Sequence, residues 1–143
     1  MNQVNIREKL ALFHDHWNPR AVGGLNDQRV TLARFQGEFV WHRHEHEDEL
    51  LMVVKGRFRM EFRDQHVWLE EGEFLIVPRG VEHRPVADEE VQVLLFEDAG
   101  TLVGGDVRDE RQGVSQPFRQ MPSGGTTPAL PSEKIRGLLG DGN

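Results

Sequence analysis

The segment Trp41-His42-Arg43-His44-Glu45-His46-Glu47-Asp48-Glu49 carries three imidazoles at alternate positions and ends in a carboxylate. Alternate residues of an extended strand project to one side. His42 and His44 can therefore aim at a single point, and His46 shares their alternation. Glu49 stands an odd step away, so a bulge or short turn must swing it round. A further imidazole, His83, follows much later in Pro78-Arg79-Gly80-Val81-Glu82-His83. Imidazole nitrogens with one carboxylate oxygen form a ligand set for a first-row transition metal. A hydrated polar edge is the bland alternative. Against it, Phe39, Val40, Trp41, Leu50 and Leu51 are the flanks of a buried element, where unpaired imidazoles and a carboxylate are costly. A bound cation offsets that cost. His46, set among Glu45, Glu47 and Asp48, suits the mouth of the site or solvent, and those three acids form a solvated rim.

The elements that must position these groups read as strands. Arg29 to Gln36 carries Val30, Leu32 and Phe35, with the alternation slipping near Ala33 as at a bulge. Gly37-Glu38 reads as a turn and Phe39 to His44 as the ligand strand. Glu49 to Val54 is almost wholly apolar, as a strand covered on both faces is. After a tight turn at Lys55-Gly56, Arg57 to Arg63 alternates cleanly, with Phe58, Met60 and Phe62 inward. His66 to Leu69 and Phe74 to Val77 are short strands separated by Glu70-Glu71-Gly72. His83 to Val86 is extended, Asp88-Glu89-Glu90 reads as a charged turn, and Val91 to Phe96 as a last strand. Short strands with frequent polar turns indicate an all-β barrel or sandwich of jelly-roll kind.

Ahead of the strands, Ile6, Leu10 and Phe13 recur at helical spacing from Asn5 to about His16, with Asn5 as cap and Glu8 three residues on. His14-Asp15-His16 reads as solvated surface, since residues two apart on a helix diverge. Gly23-Gly24 with Asn26-Asp27 is turn material. After Gly100 the chain is broken by Gly104-Gly105, Pro117, Pro122, Gly124-Gly125, Pro128 and Pro131, and a loosely ordered tail is expected. The organisation is thus 1–28 as helix and lead-in, 29–100 as barrel, and 101–143 as Gly/Pro-rich tail.

A chain of 143 residues is one domain's worth. Its formal charge of -7 argues against nucleic acid or an anionic membrane as partner. Without cysteine there is no disulfide framework, thiolate nucleophile or thiolate zinc site. The amino terminus lacks the apolar core of a secretory signal, and no run approaches a membrane span. A cytoplasmic protein is expected.

The spacing His42-x-His44, four residues, Glu49, six residues, Gly56 resembles the first motif of the cupin superfamily. Gly72, five residues, Pro78-x-Gly80-x-x-His83 resembles its second. The resemblance covers about Val30 to Glu97. It implies a single conical β-barrel of jelly-roll type and a metal held by His42, His44, Glu49 and His83. Only the His42/His44 pair stands at the motif's distances from Glu49 and Gly56. There are two departures: Gly37 lies four residues before His42 where five are usual, and Ala87 replaces a common asparagine. Both touch loop geometry and neither removes a ligand.

Such a site takes one divalent transition metal, and iron, manganese, nickel, cobalt and zinc all accept these ligands. It can act as a Lewis acid, lower the pKa of bound water or bind substrate directly. The leading expectation is a metal-dependent enzyme acting on a small polar metabolite by oxygenation or isomerisation. Phe58, Met60, Phe62, Trp68 and Phe74 are candidates for the pocket wall, and Arg34 for either an anionic substrate or an outward ion pair. No general base stands out beyond metal-bound water. A small-molecule-binding or sensing module and a purely structural metal site are the alternatives. The apolar Val91 to Phe96 and the amphipathic start lead to an expected homodimer.

Overall fold

The computed structural model describes residues 1–100 and a two-residue strand at 119–120. The tail reading for 101–143 otherwise lies outside the described residues. Helix α1 (Ile6–Leu10) is followed by β1 (Arg20–Leu25), β2 (Gln28–Glu38), β3 (Glu49–Lys55), β4 (Arg57–Phe62), β5 (His66–Glu70), β6 (Phe74–Val77), β7 (His83–Asp98) and β8 (Arg119–Gln120). The architecture is all-β, as expected.

Strand β7 organises the rest. Its first part, His83 to Val86, pairs antiparallel with β4, while its second part, Val91 to Asp98, pairs with both β2 and β3. The two flanking layers, β5-β4 and β6-β3, are thereby hinged on one continuous strand. The charged turn expected at Asp88-Glu89-Glu90 does not exist, because these residues continue β7 with their side chains in solvent. Nor is Gly37-Glu38 a turn: it extends β2 opposite Ala87 and Val86. The irregularity expected near Ala33 falls between Phe35 and Gly37 instead. Thr31 to Phe35 are all buried because β2 is covered on both faces.

One face of β2 joins the main core with Ala33, Phe35, Leu51, Val53, Phe58, Met60, Val91, Val93 and Leu95. Trp17 closes this core, its ring stacked 4.4 Å from Phe35 and 4.9 Å from Phe39, and its indole N–H donating to the Gln36 carbonyl. The other face presents Leu32 to a second cluster with Leu10, Phe13 and Val22. Asn5 caps α1 by accepting from the Glu8 N–H, but the helix stops at Leu10 rather than near His16. Phe13 is reached by two tighter turns, in which the N–H groups of Leu12 and Phe13 donate to the carbonyls of Lys9 and Leu10. Gly23-Gly24, expected as turn, belongs to β1, and the hairpin turn is Asn26-Asp27 alone.

The β3–β4 turn brings two backbones close together. Gly56 has φ +93°, and a Cβ there would stand 3.1 Å from the Glu90 carbonyl oxygen and 3.3 Å from the Val91 Cα. Gly72 has φ +83° with open space around it. A left-handed conformation costs a non-glycine residue roughly 1–2 kcal/mol at either site. Backbone crowding adds a further loss of about 1–3 kcal/mol at Gly56 alone. Urea unfolding should therefore show Gly56→Ala well below Gly72→Ala in stability, and equal losses would contradict the close approach.

Candidate metal centre

The segment expected as a ligand strand is an extended loop carrying one bridge. The His42 N–H donates to the His83 carbonyl at 3.0 Å, and the His83 N–H returns to the His42 carbonyl at 2.9 Å. Residues paired in this way send their side chains to one side, and His44 follows two residues on. Pro78 ends β6, and the turn behind it is tied to the loop by the Gly80 N–H, which donates to the His44 carbonyl. The odd step to Glu49 is absorbed by a bend at Glu45-His46. Asp48, accepting from the Arg79 backbone N–H at 2.9 Å, anchors the loop where Glu49 opens β3.

His42, His44 and His83 converge so that one nitrogen from each lies within 4.8 Å of the others. The Glu49 Oε1 stands 3.8 Å from Nε2 of both His44 and His83. All four residues are buried, with exposures of 0, 4, 1 and 1% for His42, His44, His83 and Glu49. Two tautomers are fixed by their surroundings. The Val40 carbonyl lies 2.9 Å from His42 Nδ1 and the Val81 carbonyl 2.8 Å from His83 Nδ1. A carbonyl only accepts, so each Nδ1 carries the hydrogen and each Nε2 presents its lone pair inward. Nε2 of all three histidines has no hydrogen-bond partner.

Electrostatics favour the form that binds a cation. Burial, and then the neighbouring His83 and His44, drive the His42 pKa well below its ordinary value, which keeps it neutral. Burial pushes Glu49 upward, but His44 and His83 outweigh it and hold the carboxyl down at about 2. Glu97 is driven the other way, well above the usual range, by burial and by the charge on Glu49.

His46 and His66 are exposed and outside the cluster. His14 is also exposed, while His16 is half-buried and ion-paired to Glu90 at 2.8 Å. Of the proposed pocket wall, Phe58 and Met60 are core residues, while Phe74 and Trp68 are 57% and 37% exposed and turn away from the interior. The Arg34 guanidinium donates to the carbonyls of Leu10 and Phe13 and to Glu90, the ion-pair alternative of the sequence reading. Ala87, the departure from the second motif, is buried in the main core. Sequence reasoning missed Glu97. The alternation Val91, Val93, Leu95 already pointed to it, because the next inward position is 97.

The family model for the cupin domain matches residues 28–97. The uncharacterized protein YdbB of Bacillus subtilis is 35% identical over 80 residues, covering 55% of this chain and 65% of that protein. The chain thus spans just under two thirds of that relative. An acireductone dioxygenase of Phaeosphaeria nodorum is 28% identical over 132 residues, covering 79% of this chain and 69% of the enzyme. The crystal structure of a cupin-2 domain containing protein from Shewanella frigidimarina is 41% identical, with a TM-score of 0.66, over 66% of this chain and 93% of that one. Among the described residues, no helix is long and apolar enough to cross a membrane.

Proposed function

Since the chain belongs to the cupin family, we propose that His42, His44, His83 and Glu49 hold one divalent transition metal in an enzyme acting on a small polar metabolite by oxygenation or isomerisation. One observation carries the reading. The buried Nε2 atoms of His42, His44 and His83, from two separate segments, face one another with no hydrogen-bond partner beside the buried Glu49 carboxylate, an arrangement that costs free energy unless a cation occupies it. When bound, the metal supplies a Lewis acid with positions open to substrate. The chain's own part is to fix ring orientation through Val40 and Val81 and to keep His42 neutral by burial. The similarity to the acireductone dioxygenase of Phaeosphaeria nodorum supports the oxygenase form of the proposal. Elemental analysis of protein purified without added metal, with oxygen uptake measured on the same sample, tests it. Less than half an equivalent of any transition metal would refute it.

A second reading, a metal-anchored binding module without turnover, is favoured by the near-complete burial of all four groups. A co-purified ligand identified by mass spectrometry and left unconsumed by the protein would select it. The expected homodimer and cytoplasmic setting belong to the same proposal; outward-facing Phe74 and Ile76 on β6 support self-association, which sedimentation would read.

Acid should empty the site. Coordination needs neutral imidazoles, so protons compete with the metal as pH falls. Release is expected to begin below about pH 6, near the histidine reference value. Retention after dialysis at about pH 4, close to the carboxylate reference values, would mean that histidines do not dominate the site.

A further inference from the structure

The inward positions of β2 run Arg29, Thr31, Ala33 and Phe35. Ala33 and Phe35 join the main core, and Thr31 stands opposite Leu95 of that core across β7. Directly opposed residues share a face of the sheet, so the Thr31 side chain is interior, and it is 0% exposed. Its hydroxyl has no hydrogen-bond partner. A valine there would have nearly the same shape without the cost of a buried hydroxyl. Two residues earlier on the same face, Arg29 stands opposite Glu97, and Glu97 stands opposite the proposed ligand Glu49. Glu97 is 0% exposed as well, and neither of its carboxyl oxygens has a hydrogen-bond partner. Thr31 and Glu97 are thus diagonal neighbours on paired strands, about 7–8 Å apart at the backbone, so both can reach one small group between them.

The chemistry of the two side chains says what that group is. Thr31 brings an O–H that donates, and the Glu97 carboxyl brings an oxygen that accepts whether or not it carries a proton. A hydroxyl matches both, because it accepts and donates at a single atom. Paired strands stand about 4.8 Å apart, so a hydroxyl between β2 and β7 lies about 7 Å from Glu49 on β3. The ion and the half-buried Arg29 supply positive charge at this end of the interior, which suits an anionic oxygen on the same molecule. Resting on the metal-holding reading, we propose that Thr31 and Glu97 recognise a substrate hydroxyl beside the metal, and that the substrate is a small hydroxylated carboxylate whose carboxylate end meets the ion. Neither residue belongs to the histidine cluster or to the two sequence motifs.

The test uses the cobalt(II)-loaded protein. Its visible spectrum is titrated with 3-hydroxypropionate and 4-hydroxybutyrate, and with propionate and butyrate as the same chains without the hydroxyl. Wild type should bind at least one hydroxy acid about 10–100-fold more tightly than its parent acid, the effect of one or two hydrogen bonds in a buried site. Thr31→Val should lose about 10-fold of that preference with the affinity for the parent acid unchanged. Thr31→Ser, which keeps the hydroxyl, should retain most of it. Because the hydroxyl has no partner within the fold, metal-free Thr31→Val should melt at or above the wild-type temperature. No preference in wild type would overturn the proposal and leave Thr31 a holder of water alone. A preference undiminished in Thr31→Val would overturn it, and so would a lowered metal-free melting point, which would mean that the hydroxyl bonds within the fold. Failure of the underlying reading is separable, since wild type and His83→Ala would then bind cobalt equally.

Discussion

Replacing His83 by alanine should strip the protein of metal while His66→Ala leaves the content at the wild-type level. His83 contributes one of the converging nitrogens from the strand that crosses the whole fold, with its Nδ1 tied to the Val81 carbonyl. Losing an outer partner of a ligand costs about 10–100-fold in affinity, so losing the ligand itself should cost more than about 100-fold. His66 opens β5 on the surface, its ring edge-on to that of Trp68. Loss of His83 also leaves a cavity where a buried ring packed 4.3 Å from that of His42. Metal-free melting curves therefore belong beside the elemental analysis. Equal metal loss from the two variants would refute the ligand assignment. Loss from His83→Ala with the fold intact would support it.

That contrast between two histidines was legible in the sequence because local and distant signals agreed. The two motifs fix the spacing on either side of β4 and β5, and the alternation from Arg57 to Phe62 left little freedom in how that pair sits. What escaped was controlled by tertiary contacts. Asp88-Glu89-Glu90 has turn composition, yet β7 runs through it because β2 and β4 bind the strand on both sides of it. Gly23-Gly24 looks like turn, but pairing with Val30 and Arg29 holds it extended. The five buried residues in succession at Thr31 to Phe35 mimic a bulge, because a period of two fails when a strand has two covered faces. Glu97 was visible in the alternation, but its burial against Glu49 was not. That placement depends on register with Glu49, forty-eight residues away on another strand.

Arg34 shows the same limit from the other side, and replacing it by alanine should be among the most destabilising single changes outside the core. A helix as short as α1 has no stability of its own, and its last carbonyls need donors. Arg34 supplies them from β2: Nε donates to the Phe13 carbonyl and Nη2 to that of Leu10, each at 2.9 Å, while Nη1 reaches Glu90 at 2.8 Å. At 8% exposure it takes these bonds out of water. Alanine would take the Arg34 donor from the Phe13 carbonyl and leave the Leu10 carbonyl with the Phe13 N–H and Glu90 with His16, so that about 1–3 kcal/mol is lost for the buried acceptor left unpaired. Lysine, with a point charge in place of a planar fork, should recover only part of it. The Arg43–Glu45 pair, with side chains 51% and 45% exposed, is the control: Arg43→Ala should fall within about 0.5 kcal/mol of wild type. Urea midpoints decide between the roles considered for Arg34. A stable Arg34→Ala that had lost only activity would place this arginine on a substrate after all. A destabilised Arg34→Ala with full metal content would establish it as the clasp between the amino-terminal segment and the barrel.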